Sequence, residues 1–133
     1  MITKGIKQLI AEAERRSEGI SIEAARGRLD APDTVFVDIR DVRELEREGM
    51  IPGAFHAPRG MLEFWVDPES PYFKPVFGEQ KTFILYCHAD WRGTLAAATL
   101  ADMGMQNVLH LEGGFSEWKK AGAPTGARPE KKK

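Results

Sequence analysis

Apolar residues at Ile2, Ile6, Leu9, Ile10 and Ala13 recur at the spacing of one helical face, while Lys4, Lys7, Glu12, Arg15 and Arg16 fall elsewhere. The pattern predicts an amphipathic N-terminal helix ending near Gly19. Ser21 is placed to cap a second short helix, with Ile22, Ala25 and Leu29 facing inward and Pro32 closing it. Val35-Phe36-Val37 is an apolar run without polar alternation, the pattern of a strand buried on both faces, and it leads into Asp38-Ile39-Arg40. Asp41 and Glu44 form an Asp-x-x-Glu capping box for a helix that Gly49 is placed to stop.

Pro52-Gly53 supplies a turn before a short strand at Ala54-Phe55-His56. Gly60 to Trp65 has room for one or two helical turns, and Pro68, Pro71 and Pro75 confine the next stretch to loop. Thr82-Phe83-Ile84-Leu85-Tyr86 carries the strongest strand signal, and it runs into Cys87. Leu95, Ala96, Thr99, Leu100 and Met103 return to helical spacing, with Gly104 as the stop. Asn107 to Leu111 reads as a last buried strand. Gly113-Gly114 then turns into a final helix carrying Phe115 and Trp118, ended by Gly122 and Pro124. Strands alternating with helices predict an α/β fold with a mainly parallel sheet of about five strands.

Composition narrows the class. The 133 residues suit one domain, and 42% hydrophobic residues suffice for a core. Nineteen Lys and Arg against twenty Asp and Glu leave a net charge of −1, which argues against a nucleic-acid partner. A single cysteine rules out an internal disulfide and points to a reducing, cytoplasmic setting. No apolar run approaches the ~20 residues of a membrane span, so no membrane partner is expected. Residues 1–19 read as a helical extension, 20–124 as the domain, and 125–133, with Lys131-Lys132-Lys133, as a flexible solvated tail.

In open α/β sheets the site lies beyond the carboxyl ends of the strands, here Asp38-Ile39-Arg40, His56, Cys87 and Leu111-Glu112. Cys87 is the candidate with a reaction attached. It leaves a buried strand, passes through His88-Ala89-Asp90-Trp91-Arg92, and reaches a helix start expected at Gly93 or Thr94. Backbone N–H groups and the positive end of the helix dipole would favour a thiolate there, and Arg92 adds a permanent cation. An Asp90 carboxylate turned inward would oppose that thiolate by about 3 kcal/mol at ~5 Å and an effective dielectric of 20. Turned to water, it would be largely screened. His88 is expected to be an exposed loop residue. Trp91 is placed to shield the cysteine, to form an acceptor surface or to pack over the loop, and Phe64 and Trp65 to line the entrance or, as is commoner for such a helical cluster, to join the core.

Cys87-His88-Ala89-Asp90-Trp91-Arg92 resembles the six-residue Cys-x-x-x-x-Arg active loop of the rhodanese homology domain. Asp38-Ile39-Arg40-Asp41 with Glu44 is similar to that family's Asp-Val-Arg-Glu segment, and Gly49-Met50-Ile51-Pro52-Gly53-Ala54 to its Gly-His-Ile-Pro-Gly-Ala turn. Glu112-Gly113-Gly114-Phe115-Ser116-Glu117-Trp118 is similar to its closing motif, so the resemblance covers about residues 20–123 in order. It implies a three-layer rhodanese-like fold and a sulfurtransferase. The Cys87 thiolate would take sulfane sulfur from a donor such as thiosulfate or a persulfide. A thiol, cyanide or a protein cysteine would then remove it. Cys87 would be the catalytic residue, with His88, Ala89, Asp90, Trp91, Arg92 and Gly93 as the active loop. No cofactor is implied.

Asp38 and Arg40 are expected to pair and support the loop from behind. The spacings of His56, Cys87, His88 and His110 match no metal motif, so no metal site is expected. Two other readings stay open. One is a phosphatase or arsenate reductase, disfavoured because only four residues separate Cys87 from Arg92. The other is a non-enzymatic sulfur carrier, redox sensor or interaction module. With no second cysteine, any disulfide cycle would need an external thiol.

Overall fold

The computed structural model describes residues 1–129. In chain order the elements are α1 (Ile6–Arg16), β1 (Glu18–Ile20), α2 (Ile22–Arg26), β2 (Thr34–Asp38), α3 (Val42–Glu48) and β3 (Phe55–His56). A 3₁₀ turn (Arg59–Met61), α4 (Leu62–Val66) and a second 3₁₀ turn (Pro75–Gly78) come next. The chain continues with β4 (Thr82–Tyr86), α5 (Trp91–Asp102), β5 (Val108–Leu111) and α6 (Gly114–Lys120). The five strands lie in the order β1-β5-β4-β2-β3, and every pairing is parallel.

Successive residues of the central strands bury opposite faces, which is why they carry no polar alternation. Val37, Phe83, Leu85 and Val108 meet Leu62 and Val66 of α4 and Ala96, Ala97 and Leu100 of α5. Phe36, Ile84, Tyr86 and Leu111 meet Ala25 of α2 and Phe115 and Trp118 of α6. Two apolar clusters on the two faces of one sheet make the three layers expected from the sequence. Edge-to-face aromatic pairs stand on both sides, Phe36–Trp118 on one and Phe55–Phe77 on the other.

Four local expectations are corrected. The N-terminal helix stops at Arg16, and Glu18-Gly19-Ile20 instead pairs with Leu109 to Leu111 as an edge strand. Three residues are too few to show a period of two, so only β5 defines this strand. The apolar stripe of α1 is partly used: Ala13 is buried, whereas Ile2, Ile6 and Leu9 stay exposed. Helix α5 begins at Trp91, two residues before Gly93, because Asp90 adopts a left-handed conformation and lets the helix start at once. Finally, the segment after Pro124 is anchored. Met50 and Gly126 exchange N–H to O bonds of 2.8 Å, and the Trp118 indole donates to Pro124 O at 2.7 Å. Residues 130–133, with the Lys131-Lys132-Lys133 end, lie outside the described residues.

The capping expected for α3 holds in detail. Asp41 accepts from Arg43 N while Glu44 accepts from Asp41 N, and Gly49 ends α3 at φ 81°. No helix among the described residues is long and apolar enough to cross a membrane.

Candidate active site

Strand β4 runs directly into Cys87, which is buried at the carboxyl edge of the sheet beside β2 and β5. Its Sγ accepts a hydrogen bond from Asp90 N at 3.1 Å. That bond requires the chain to fold back within three residues, and Asp90 provides the reversal at φ 78°, the sole positive φ outside glycine among the described residues. Asp tolerates this region better than most residues. Thr94 secures the turn from the helix side, its N and Oγ1 both donating to Asp90 O at 2.8 and 2.9 Å.

The floor of the loop is α6. Phe115 N donates to Cys87 O at 2.8 Å and Ser116 N to His88 O at 3.0 Å. This approach depends on Gly114 at φ 65°: a Cβ there would lie 2.6 Å from His88 O and 2.7 Å from Cys87 O. Gly93 makes a second close approach, since a Cβ would meet Asp90 Oδ1 at 2.9 Å. The glycines of both motifs are therefore set by distance to the loop.

Arg92 turns towards α3. Its Nη1 and Nη2 donate to the two Glu44 oxygens at 2.9 and 3.0 Å, a two-bond ion pair that also draws on the Asp41 cap. The Arg92 guanidinium holds the Glu44 carboxyl down at about 2. The sequence pattern assigns Glu44 to capping alone. Its second task depends on the Arg92 side chain reaching the first turn of α3 across the fold and leaves no local trace.

Asp38 and Arg40 form the expected pair, completely buried. Arg40 Nε and Nη2 donate to Asp38 Oδ1 and Oδ2 at 3.0 and 2.7 Å, and Nη2 also donates to Gly49 O at 2.7 Å. The guanidinium lies 4.3 Å from the centroid of Phe115, the residue whose N–H supports Cys87. The pair thus stands behind α6 and the Gly49–Ile51 turn. Burial, reinforced by the Asp38 charge, pushes the Tyr86 phenol far up, and its oxygen accepts from Ile51 N at 3.1 Å.

His88 and Ala89 are exposed, and Trp91 is 63% exposed. Trp65 packs edge-to-face on Phe55 in the core, whereas Phe64 faces outward. Asp90 matches neither orientation considered from the sequence. Its carboxylate turns sideways to His110 on β5, with Nδ1 3.0 Å from each oxygen. By sequence His110 is only a rejected metal ligand, and nothing in the local pattern links positions 90 and 110.

The fold and the loop define an α/β protein that presents a lone cysteine in a backbone cradle at the carboxyl edge of a parallel sheet. A family model described as Rhodanese-like domain matches residues 21–121, and the chain belongs to that family. A sulfurtransferase of Allochromatium vinosum is 31% identical over 95 residues, covering 71% of this chain and 80% of that protein. An uncharacterized Synechocystis protein is 34% identical over 68% of this chain, and the chain spans only 46% of its length. Among solved structures, a Rhodopseudomonas palustris protein of unknown function, described as a possible tyrosine phosphatase, is 50% identical. Its TM-score is 0.92, with 95% of this chain and 97% of that one covered.

Proposed function

We propose that this protein is a sulfurtransferase that carries sulfane sulfur on Cys87. The observation carrying the reading is the Asp90 N–H to Cys87 Sγ bond of 3.1 Å, in a loop that runs directly into the N-terminus of α5. A backbone donor and a helix dipole at one sulfur favour an anion there, whether thiolate or persulfide. Similarity to the Allochromatium sulfurtransferase supports the same reading.

The reaction proceeds in two displacements. The Cys87 thiolate attacks the outer sulfur of thiosulfate, forming an S–S bond as the bond to the sulfonate sulfur breaks and sulfite leaves with the electron pair. An acceptor thiolate or cyanide then attacks the terminal persulfide sulfur and restores the Cys87 thiolate. Beside the loop, a groove of about 230 Å³ bounded by His88, Phe115, Ser116, Lys119, Lys120 and Glu48 is mainly apolar and carries two lysines against one glutamate, a setting that an anionic donor could enter.

Intact-protein mass before and after thiosulfate treatment, in wild type and Cys87→Ser, tests this directly. The expected result is a gain of one sulfur in wild type only, reversed by added thiol. Sulfur transfer retained by Cys87→Ser would overturn the reading.

A further inference from the structure

We propose that His110 is a positioning residue for the Cys87 thiolate, acting by holding the Asp90 carboxylate against β5 and so fixing the left-handed turn whose amide donates to the sulfur. The proposal rests on the thiolate chemistry proposed for Cys87. Its basis is an anomaly at the start of α5. An aspartate preceding a helix ordinarily has an extended backbone and caps the first-turn N–H groups with its side chain. Asp90 does neither: it is left-handed at φ 78° and makes no side-chain cap bond.

The carboxylate is occupied elsewhere. Both oxygens lie 3.0 Å from His110 Nδ1, and the two side chains are only 16% and 9% exposed. A carboxylate accepts only, so Nδ1 carries the hydrogen. Around the imidazole, β1 places Gly19 and β4 places Leu85 opposite in register, while α5 contributes Gly93 and Thr94. Asp90 is the charged group hydrogen-bonded to it, and the Glu112 carboxylate, two residues further along the chain, lies over Gly19 beside it.

The sulfur gains in two ways. The Asp90 amide keeps its bond to Cys87 Sγ because the side chain fixes the left-handed turn from the far side. The first-turn amides of α5 keep no side-chain cap and stay available to an anion. One histidine thereby anchors the aspartate whose backbone makes the cradle and supplies a hydrogen-bond donor to the carboxylate that the loop carries.

The test is the pH profile of Cys87 alkylation by iodoacetamide, which reads thiolate content without any sulfur donor. His110→Leu is expected to slow alkylation at pH 7 about tenfold, with the rate recovered at higher pH, as a one-unit loss of thiolate stabilisation predicts. His110→Asn keeps a donor and should stay within about twofold of wild type. Adding Asp90→Gly to His110→Leu should restore the rate, since glycine accepts the turn and removes the charge. Wild-type alkylation by His110→Leu, or a folded double variant that stays slow, would overturn the proposal. Failure of both the single and the double variant to fold would reduce His110 to a packing residue and overturn it too. A wild-type thiol unreactive at every pH would instead sink the thiolate reading itself.

Discussion

Glu44 and Arg92 are 48 positions apart in sequence and meet through two hydrogen bonds of 2.9 and 3.0 Å, tying the cap of α3 to the last residue of the cysteine loop. The same carboxylate accepts from Asp41 N, so one side chain closes a helix and restrains the loop together. Glu44→Gln should destabilise the protein by about 1 kcal/mol at neutral pH, a modest figure because Arg92 is 41% exposed.

That difference should depend on pH with a defined sign. The Glu44 carboxyl is held near 2 in the folded state against an ordinary 4.5, so its contribution is complete above about pH 5. It is lost as pH falls from 4.5 towards 2. Urea unfolding of wild type and Glu44→Gln across pH 2–7 should therefore show the two stabilities converging at the acid end. A gap that stays constant down to pH 2 would refute the linkage.

The Asp38–Arg40 pair should be far more costly to break. Both side chains are fully buried, so Asp38→Asn leaves the guanidinium with only the Glu48 carboxylate, 4.0 Å from Nη1, as counter-charge, at roughly 3–5 kcal/mol. Arg40→Lys should also destabilise, because an ammonium cannot span Asp38 Oδ1, Asp38 Oδ2 and Gly49 O. Chemical denaturation measures both. A loss below about 1 kcal/mol for Asp38→Asn would mean that water reaches the vacated charge.

Gly114→Ala places a methyl group within 2.7 Å of Cys87 O and His88 O at a φ of 65°. Either α6 or the loop must move. A loss of about 2–4 kcal/mol is expected, together with slower alkylation of Cys87. Thermal unfolding and thiol reactivity should change in parallel, and stability loss without altered reactivity would show that α6 yields and the loop stays.

Phosphate-ester hydrolysis should not exceed the Cys87→Ser background with p-nitrophenyl phosphate. Four residues between Cys87 and Arg92 make a short loop, and the Arg92 guanidinium is engaged with Glu44. Cys87-dependent turnover would favour the activity suggested for the Rhodopseudomonas relative.

The sequence by itself determined the features whose causes are local or repeated. Unbroken apolar runs at 35–37 and 82–86 specified strands covered on both faces, and Asp41, Glu44 and Gly49 specified both ends of α3. Cys87 through Arg92 was legible as the candidate loop because a buried strand, a short reversal and a helix succeed one another in unbroken order. What the tertiary structure decided was which side chains meet. Glu18–Ile20 became a strand because β5 supplied an edge, Glu44 became the partner of Arg92 because the fold brings the start of α3 within reach of its side chain, and Asp90 turned to His110 because β5 pairs beside β4, whose end carries the loop. Those pairings join residues 20 to 91 positions apart, where no periodicity or capping rule operates. Their geometry arises when the two halves of the chain close one sheet, because only then do the separated partners come within hydrogen-bonding distance.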